Sequence, residues 1–489
     1  MAHYLPAFIE AKHTKTSLVA LSADRPSTLQ GCYAPQTTNQ HELLKSVCGN
    51  QIALDDPSDS KEALDNVYHQ VSCALSTQKL SRKKPVHINV PFAKPLYDRL
   101  STHDLIALKD HINSLSLKPS NTESQQENDS TPDTVKRAEQ WIDASNNILI
   151  TIGPFAQDLK KAETVSKLAK ALGAYVYSDI TANLTFGKDD SPFVLDGLDH
   201  VARTDFEPPE LVVQIGSPII SSSITKWTAQ SNRIVLCTED SPDPTKSASI
   251  LHGNVNDIAS RWASTFQKAT PTSWGERLHA LAANAWQLSQ TLLDEEAKVV
   301  CDAVRQAKSL NNLILSNSLP IRLADVFLSQ TEEKPYIYSQ RGVSGIDGLV
   351  AGAIGLALSS TKRSLLIIGD VALYHDLNSL ALLKKFKPRL DVLVLDNEGG
   401  RIFDHLPLAK SDMSKSHFDD FWTMSTPVDW KKLGSAFGVE THIFNADDFS
   451  AANHLSLSDG PRLTIVNVAP DGAANLWNTI KANISQGSD

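Results

Sequence analysis

Two apolar stretches with polar ends, Ser364-Leu-Leu-Ile-Ile-Gly-Asp370 and Leu390-Asp-Val-Leu-Val-Leu-Asp-Asn397, decide the fold of this chain. Each predicts a buried strand that ends in an oxygen-bearing side chain. The segment between them, Asp376-Leu-Asn-Ser-Leu-Ala-Leu-Leu-Lys-Lys385, predicts a helix. Together they predict a β-α-β unit with parallel strands. The carboxyl ends of such strands meet at one edge of the sheet, where open α/β sheets bind ligands.

The residues at these strand ends predict a site for a cation and a phosphate. Asp370 supplies a carboxylate, Asn397 an amide oxygen and the loop at Gly399 a backbone carbonyl. Mg²⁺ prefers such oxygen ligands and often shares them with phosphates, whose charge a helix start also favours. A Gly-Asp pair alone is weak evidence for a cation site, because an Asp that follows a strand is usually a turn residue. The alternative is therefore two turn residues that cap helices.

Composition places the chain among soluble globular proteins and bounds its partners. Its 489 residues suffice for several domains, and its net charge of −10 argues against a nucleic-acid partner, which usually needs a basic face. Five cysteines without a C-x-x-C pattern predict reduced thiols in a cytoplasmic protein and no zinc site. The longest glycine-interrupted apolar run, residues 348–358, is too short to span a bilayer.

Strand and helix patterns divide the chain into three regions. We expect an α/β protein with three doubly wound parallel-sheet domains, the first of them incomplete. The polar stretch of residues 118–133 predicts a linker, and residues 274–308 predict a helical connector. Predicted strands lie at residues 17–22 and 86–91, at 148–153, 174–178, 211–216 and 233–237, and near Tyr336, Ser364, Leu390 and Leu463.

The Gly369-Asp370 pair and the Asn397-Glu-Gly-Gly400 segment resemble the diphosphate-binding motif of thiamine-diphosphate enzymes. Ser339-Gln-Arg-Gly-Val-Ser-Gly-Ile-Asp-Gly348, His375-Asp-Leu-Asn-Ser-Leu-Ala-Leu-Leu383 and Gly399-Gly-Arg-Ile-Phe403 narrow the resemblance. They are similar to 2-succinyl-5-enolpyruvyl-6-hydroxy-3-cyclohexene-1-carboxylate synthases. The resemblance is dense in the last third and thin in the middle of the chain.

The resemblance implies a domain order, an activity and an assembly. The domains would be a partial pyrimidine-binding domain (1–113), a linker (114–135), a central α/β domain (136–285) and a diphosphate-binding domain (286–489). The cofactors would be thiamine diphosphate and Mg²⁺ or Mn²⁺. The reaction would decarboxylate 2-oxoglutarate and join the remainder to isochorismate, in menaquinone biosynthesis. Such enzymes pair, so a homodimer or homotetramer is expected.

The resemblance also implies a set of site residues, each with a plainer alternative. Turn, cap, surface and core positions would explain the same residue types without any function. The implied metal ligands are Asp370, Asn397 and the main-chain oxygen of Gly399; the cofactor contacts are Ile346, Gly369, Asp370, Asn397, Ile402 and Phe403; the substrate contacts are Gln36, Ser318, Arg322 and Arg341.

Several positions depart from the family pattern. Pro35 and the acidic residues Asp396 and Glu398 stand where the family usually has asparagines. Ser222 and Ser223 replace a Lys-Arg pair, and Lys226, one turn away, is the nearest candidate to replace their charge. Pro35, Ser222 and Ser223, together with the missing activating glutamate of the family, favour a second hypothesis, a non-catalytic relative that binds cofactor or a partner subunit. A third is another thiamine-diphosphate decarboxylase or synthase acting on 2-oxo acids.

The first residues predict the middle of a helix rather than the opening of a wound domain. In the resembled family this segment lies inside the first domain, after a glutamate that activates the cofactor. We expect a chain truncated at its N-terminus, without that glutamate and without turnover of its own. Glu10 is expected on the wrong side of the helix to replace it, and Asp24 belongs to the Ala-Asp-Arg-Pro turn. No catalytic residue is therefore assigned.

Overall fold

The computed structural model describes residues 2–56, 58, 60–80, 84–93, 102–115, 130–154, 162–187, 189, 193–238, 243, 245–268, 272–310, 312–411, 415–425, 427–455 and 460–486. The chain divides into two compact units. The first comprises Met1–Gln126 with Gln340–Gly345, and the second comprises Glu127–Ser339 with Ile346–Asp489.

The first unit contains a parallel sheet of three strands in the order β1-β3-β2. Phe8 and Leu44 pack together in one small core, and Val86 and Ile88 belong to another. Its strands are β1 (Val19–Asp24), β2 (Asn50–Ala53) and β3 (Val86–Pro91), and its helices are α1 (Leu5–His13), α2 (Gln40–Leu44), α3 (Lys61–Leu80) and α4 (Thr102–Ser114).

The second unit begins with a parallel sheet of five strands in the order β5-β4-β6-β7-β8. Short helices alternate with the strands, as the sequence predicts for β-α-β winding. The strands are β4 (Ile148–Ile152), β5 (Tyr175–Ser178), β6 (Leu211–Ile215), β7 (Asn232–Cys237) and β8 (Ser249–His252); the helices are α5 (Pro132–Ala144), α6 (Ala162–Leu172), α7 (Leu198–Val201), α8 (Ser222–Trp227) and α9 (Val255–Thr265).

A second parallel sheet in this unit has six strands in the order β10-β9-β11-β12-β14-β13. Its strands are β9 (Asn312–Leu315), β10 (Ile337–Tyr338), β11 (Ser364–Gly369), β12 (Leu390–Asp396), β13 (Glu440–Asn445) and β14 (Arg462–Asn467). Its helices are α10 (Ser273–Leu292), α11 (Glu295–Gln306), α12 (Leu319–Phe327), α13 (Leu349–Leu358), α14 (Asp370–His375), α15 (Leu380–Phe386), α16 (Lys415–Phe418), α17 (Trp430–Phe437), α18 (Ala451–His454) and α19 (Gly472–Gln486).

Both sheets of the second unit are buried on two faces. Leu149 of β4 and Leu393 of β12 belong to one shared core, whereas Ile150 and Val394, their neighbours along the strands, face separate outer cores. Successive strand residues point to opposite faces, so each sheet needs apolar residues on both sides. The predicted fold class of three doubly wound parallel-sheet regions is confirmed.

The structure differs from the predicted elements in several places. Strands β2, β8, β9 and β13 were not predicted; the first three have four residues each, and β13 is polar. The helix predicted over residues 376–385 is present as a 3₁₀ turn at Leu377–Ser379 followed by α15, and a separate short helix, α14, precedes it. The Asp376 carboxylate accepts the N–H groups of Val350 and Ala351 and so caps the start of α13.

The predicted domain boundaries remain predictions. The boundary between residues 285 and 286 falls inside α10, which contacts both α7 and α19. Most of the predicted linker, residues 116–129, lies outside the described residues. None of the five cysteines forms a disulfide. Within the described ranges, none of the helices combines the length and the apolar character needed to cross a membrane.

Candidate metal and cofactor site

The strand ends of β11 and β12 bring the predicted metal ligands together. These strands are adjacent and parallel, with Gly369 paired to Leu395. Asp370 is the first residue of α14 and is 7 % exposed, and Asn397 is 4 % exposed. The N–H of Gly399 donates to Oδ2 of Asp370 at 2.7 Å. The predicted meeting of these groups at one sheet edge is therefore what the structure contains.

Steric contacts explain the glycine of this loop. Gly399 has φ +130°, and a Cβ there would lie 2.5 Å from the carbonyl oxygen of Thr423. Any other residue would be strained and would clash with backbone. The N–H of Gly400 donates to the same carbonyl at 2.6 Å, and Arg401 N–H donates to the Gly399 carbonyl at 2.8 Å. That carbonyl oxygen keeps a second lone pair for a cation.

The Asp370 carboxyl group is buried and lies near a second acidic side chain. Burial, together with the nearby Asp396, raises the pKa of Asp370 to about 7. A divalent cation would favour its ionised form and offset the cost of burying that charge. Asp396, where the resembled family usually has asparagine, accepts a hydrogen bond from Nε1 of Trp430 at 2.6 Å. Its acidic oxygen thus has a protein partner, which the sequence did not indicate.

The Asn397 side-chain amide has a hydrogen-bonded NH₂ group and an oxygen without a hydrogen-bond partner. Its Nδ2 lies 3.2 Å from both carboxyl oxygens of Glu296, but its buried Oδ1 has no hydrogen-bond partner in the protein. Buried polar atoms are nearly always paired, so this oxygen points to an absent partner. A carboxylate, an amide oxygen and a backbone carbonyl fit Mg²⁺ or Mn²⁺. Over the described ranges, the structure contains no group of three or more His, Cys, Asp or Glu side chains able to hold a metal.

Glu296 is the site residue that the sequence interpretation missed. It lies on α11, is 2 % exposed, and burial raises its pKa to about 8. A signal for it was present in the sequence, because Glu296 falls at helical spacing from the buried Val299, Val300 and Ala303. A carboxyl group on the buried face of a helix needs a partner, and here that partner is the Asn397 amide.

The predicted apolar contacts are half-buried. Ile346 and Ile402 pack against two different cores, and the Phe403 ring lies edge-on to Trp422 with centroids 5.6 Å apart. A cavity of about 70 Å³ borders Asp370 and is lined by Tyr374, His375, Met424 and Trp430, among others. Packing alone accounts for Ile346, Ile402 and Phe403, so their contact with a cofactor remains a prediction.

Ser318 and Arg322 are brought together at the start of α12. Ser318 occupies the N-cap position, but its side chain makes no capping hydrogen bond, and its φ of 75° is unusual for a residue other than glycine. Arg322 Nη1 donates to the Ser318 carbonyl at 2.7 Å. The capping alternative is therefore not what the structure shows. Strained backbone of this kind is concentrated at functional sites.

Arg341 and Gln36 belong to the first unit. Arg341 lies in the Gln340–Gly345 segment, where the Glu10 carboxylate accepts the N–H groups of Gly342 at 2.8 Å and Val343 at 3.0 Å. Glu10, which received no role from the sequence, thus fixes this segment. Gln36 is exposed with φ 63°, and its Oε1 accepts a hydrogen bond from Arg25 at 3.0 Å. The substrate roles of Arg341 and Gln36 remain predictions.

A second cavity, of about 310 Å³, contains the segment that departs from the family pattern. Ser223 and Lys226 of α8 line it, together with Asp404 and His405 from the turn that follows the Gly399 loop. Arg203 also lines it and pairs with the buried Asp199 at 2.8 Å. The remaining basic side chains in its wall are Lys410 and Lys481. This cationic cavity was not predicted beyond Lys226.

Comparison with known proteins agrees with this geometry. Residues 323–468, which include Asp370, Asn397 and Gly399, match the family described as thiamine pyrophosphate enzyme, C-terminal TPP binding domain. Thiamine pyrophosphate and thiamine diphosphate are the same compound.

Curated proteins named 2-succinyl-5-enolpyruvyl-6-hydroxy-3-cyclohexene-1-carboxylate synthase match most of the chain. The protein of Bacillus velezensis is 28 % identical over 89 % of this chain and 76 % of its own length. That of Geobacillus kaustophilus is 28 % identical over 99 % of this chain and 85 % of its own length. That of Staphylococcus aureus is 26 % identical over 93 % and 79 %. The chain is therefore similar over most of its length to 2-succinyl-5-enolpyruvyl-6-hydroxy-3-cyclohexene-1-carboxylate synthases, and residues 323–468 place it among the thiamine-diphosphate-dependent enzymes.

Proposed function

We propose that this protein decarboxylates 2-oxoglutarate and joins the remaining four-carbon unit to isochorismate, as a synthase of menaquinone biosynthesis. The observation that carries the proposal is the buried group at the ends of β11 and β12. There Asp370 binds the Gly399 N–H at 2.7 Å beside the unpaired Oδ1 of Asn397. The names of the relatives supply the product class.

The cation would be Mg²⁺ or Mn²⁺. The Asp370 carboxylate, the Asn397 Oδ1 and the Gly399 carbonyl would bind it, and diphosphate oxygens and water would complete an octahedron. When bound, thiamine diphosphate supplies a nucleophilic carbon and an acceptor for the electron pair left by departing carbon dioxide. The protein's task at this site is to hold the diphosphate and the cation in a fixed geometry.

The half-buried Ile346, Ile402 and Phe403 would exclude water from the reacting groups. Arg322 would bind a substrate carboxylate, because a guanidinium forms two parallel hydrogen bonds with that group. The Ser318 hydroxyl, which caps no helix, would donate to the same substrate. Gln36 and Arg341 are proposed as further substrate contacts on the strength of their motifs.

Both substrates are anions with two carboxylates, and the chain as a whole carries a net charge of −10. The cavity of about 310 Å³ is a local exception, because Lys226, Lys410 and Lys481 line it together with Arg203, against the lining carboxylate of Asp404 and the Asp199 carboxylate that pairs with Arg203. We propose that these side chains supply the positive potential that the family's Lys-Arg pair would supply at Ser222 and Ser223. A positive cavity in an acidic protein attracts anions selectively.

The test is a coupled binding and turnover measurement on the purified chain. Calorimetry with thiamine diphosphate and Mg²⁺ reports binding, and mass spectrometry reports the product formed from 2-oxoglutarate and isochorismate. We expect binding that requires Mg²⁺ from this chain. We expect product, and only when both substrates are present, from a version extended upstream to carry the activating glutamate of the resembled family. Asp370→Ala is the control that should lose both signals.

Other outcomes would point to the other hypotheses. Cofactor binding without product even from the extended version would favour a non-catalytic relative, which the serines at 222 and 223 also favour. Decarboxylation of a different 2-oxo acid, such as pyruvate, without use of isochorismate would favour another thiamine-diphosphate enzyme. Absence of Mg²⁺-dependent binding would reject the cofactor site itself.

We also propose that the protein self-associates as a homodimer or homotetramer. On β1, Val19 is 45 % exposed and Leu21 is 72 % exposed. Both side chains lie on the same face of β1, because successive strand residues alternate between faces, and contiguous exposed apolar surface can mark a site that a partner covers. Light scattering coupled to size-exclusion chromatography would measure the mass, and a monomer at all concentrations would contradict this proposal.

A further inference from the structure

A buried carboxyl group contacts the proposed metal ligand Asn397. Glu296 is 2 % exposed, and each of its carboxyl oxygens lies 3.2 Å from Asn397 Nδ2. We propose that Glu296 is a positioning residue, which holds the Asn397 amide in the orientation that presents its oxygen, rather than its nitrogen, to a divalent cation. This inference rests on the proposed function, because it takes Asn397 to be a cation ligand.

The two ends of an amide have similar shapes and opposite chemistry. The oxygen can bind a cation, whereas the NH₂ group can only donate hydrogen bonds. Glu296 keeps at least one acceptor oxygen whether or not it is protonated, so it can always receive the Asn397 NH₂. A cation that bound Oδ1 without Glu296 would leave that NH₂ buried and unpaired, which weakens binding.

Glu296 is fixed by elements that do not carry the metal ligands. The Asp294 side chain caps α11 by accepting the Ala297 N–H at 3.0 Å. Beyond Glu296, the same helix buries Val299 and Val300 in the shared core of the two sheets. The position of the carboxyl group is therefore set by helix packing before any cation binds. Partners of this kind, one step removed from the metal, typically change metal affinity by about 10–100-fold when removed.

Single substitutions test the inference. Mn²⁺ binding in the presence of thiamine diphosphate would be measured by electron paramagnetic resonance for the parent, Glu296→Leu and Glu296→Gln. We expect about 10–100-fold weaker Mn²⁺ binding for Glu296→Leu, and near-parental affinity for Glu296→Gln, because the glutamine oxygen still accepts the Asn397 NH₂.

Glu295 provides a matched control on the same helical turn. Its Oε2 accepts the Ala469 N–H at 2.9 Å, so Glu295→Leu also removes a hydrogen bond from a carboxyl group of α11. The Asn397 amide is hydrogen-bonded to Glu296 and not to Glu295. We therefore expect Glu295→Leu to bind Mn²⁺ as the parent does. Thermal unfolding of all variants without metal separates loss of stability from loss of metal affinity.

A double substitution separates the two roles, because a purely structural role of Glu296 would not restore Mn²⁺ affinity in the double variant. Asn397→Asp places a second carboxyl group against Glu296, which should weaken Mn²⁺ binding. Adding Glu296→Gln supplies an NH₂ donor to the new carboxylate and should restore Mn²⁺ affinity about tenfold or more. Additive effects of the two substitutions would overturn the inference.

The remaining outcomes are equally decisive. Glu296→Leu that melts at a lower temperature but binds Mn²⁺ like the parent would make Glu296 a structural residue only. If Asp370→Ala loses Mn²⁺ binding and Glu296→Leu keeps it, the positioning role of Glu296 is refuted and the proposed cation site stands. A parent protein that binds no Mn²⁺ would overturn the proposed function and this inference with it.

Discussion

Replacing Asp370 by asparagine should change stability and cofactor binding in opposite directions. The pKa of Asp370 is raised by burial from 3.8 to about 7, so the folded protein disfavours the ionised carboxylate. The folded state therefore holds the proton more tightly than the unfolded state between these values. In the metal-free protein, the stability contributed by the neutral acid is present below pH 3.8 and is lost as the pH rises through 7.

The magnitude follows from the size of that shift. Each pKa unit corresponds to about 1.4 kcal/mol, so a shift of roughly three units costs the metal-free parent about 4 kcal/mol at pH 8. Asparagine carries no charge but loses one of the two acceptor oxygens that bind the N–H groups of Val371 and Gly399. That loss costs about 1 kcal/mol. The variant should therefore be more stable at pH 8 by about 2–3 kcal/mol, and the difference should shrink towards pH 4.

The substitution should weaken cofactor binding, although it stabilises the metal-free protein at pH 8. Mg²⁺ with thiamine diphosphate should raise the melting temperature of the parent by mass action. It should barely raise that of Asp370→Asn, because an amide offers no negative charge to the cation. Melting curves at pH 5 and pH 8, each with and without Mg²⁺ and thiamine diphosphate, measure both effects. A variant that is no more stable without metal at pH 8, yet gains as much from the cofactor as the parent, would refute the reasoning.

Three further predictions concern the loop, the substrate and pH. Gly399→Ala should abolish Mg²⁺-dependent cofactor binding in calorimetry, because its Cβ would lie 2.5 Å from the Thr423 carbonyl oxygen, whereas Gly355→Ala, with open space around the Cβ, should bind normally. Arg322→Ala should lower kcat/KM for one substrate about tenfold or more, and unchanged steady-state kinetics would count against its role. Burial lowers the pKa of His200 from 6.5 to about 4, so this side chain alone should contribute a loss of about 3 kcal/mol of stability as the pH drops from 6.5 to 4. Chemical unfolding of His200→Leu should lack this slope.

The sequence determined those features that rest on local pattern. The apolar runs ending at Asp370 and Asn397 predicted two adjacent parallel strands, and β11 and β12 pair in that way. Strand periodicity and length suffice for such elements, because a strand buried on both faces is a continuous apolar run. Short or polar strands carry no such signal, which is why β9 and β13 were not predicted.

Contacts between distant segments were decided by the tertiary structure alone. Glu296 meets Asn397 across 101 residues of sequence, and Glu10 meets Gly342 across 332. Asp391 is the second residue of the buried strand β12, where Arg363 binds it with two hydrogen bonds and Arg462 lies 3.2 Å from it. A buried polar group must find a partner, but nothing in local sequence says which residue that partner will be. The sequence thus named the atoms that would bind a cation, and the packing of α11 against the sheet decided which way the Asn397 amide faces.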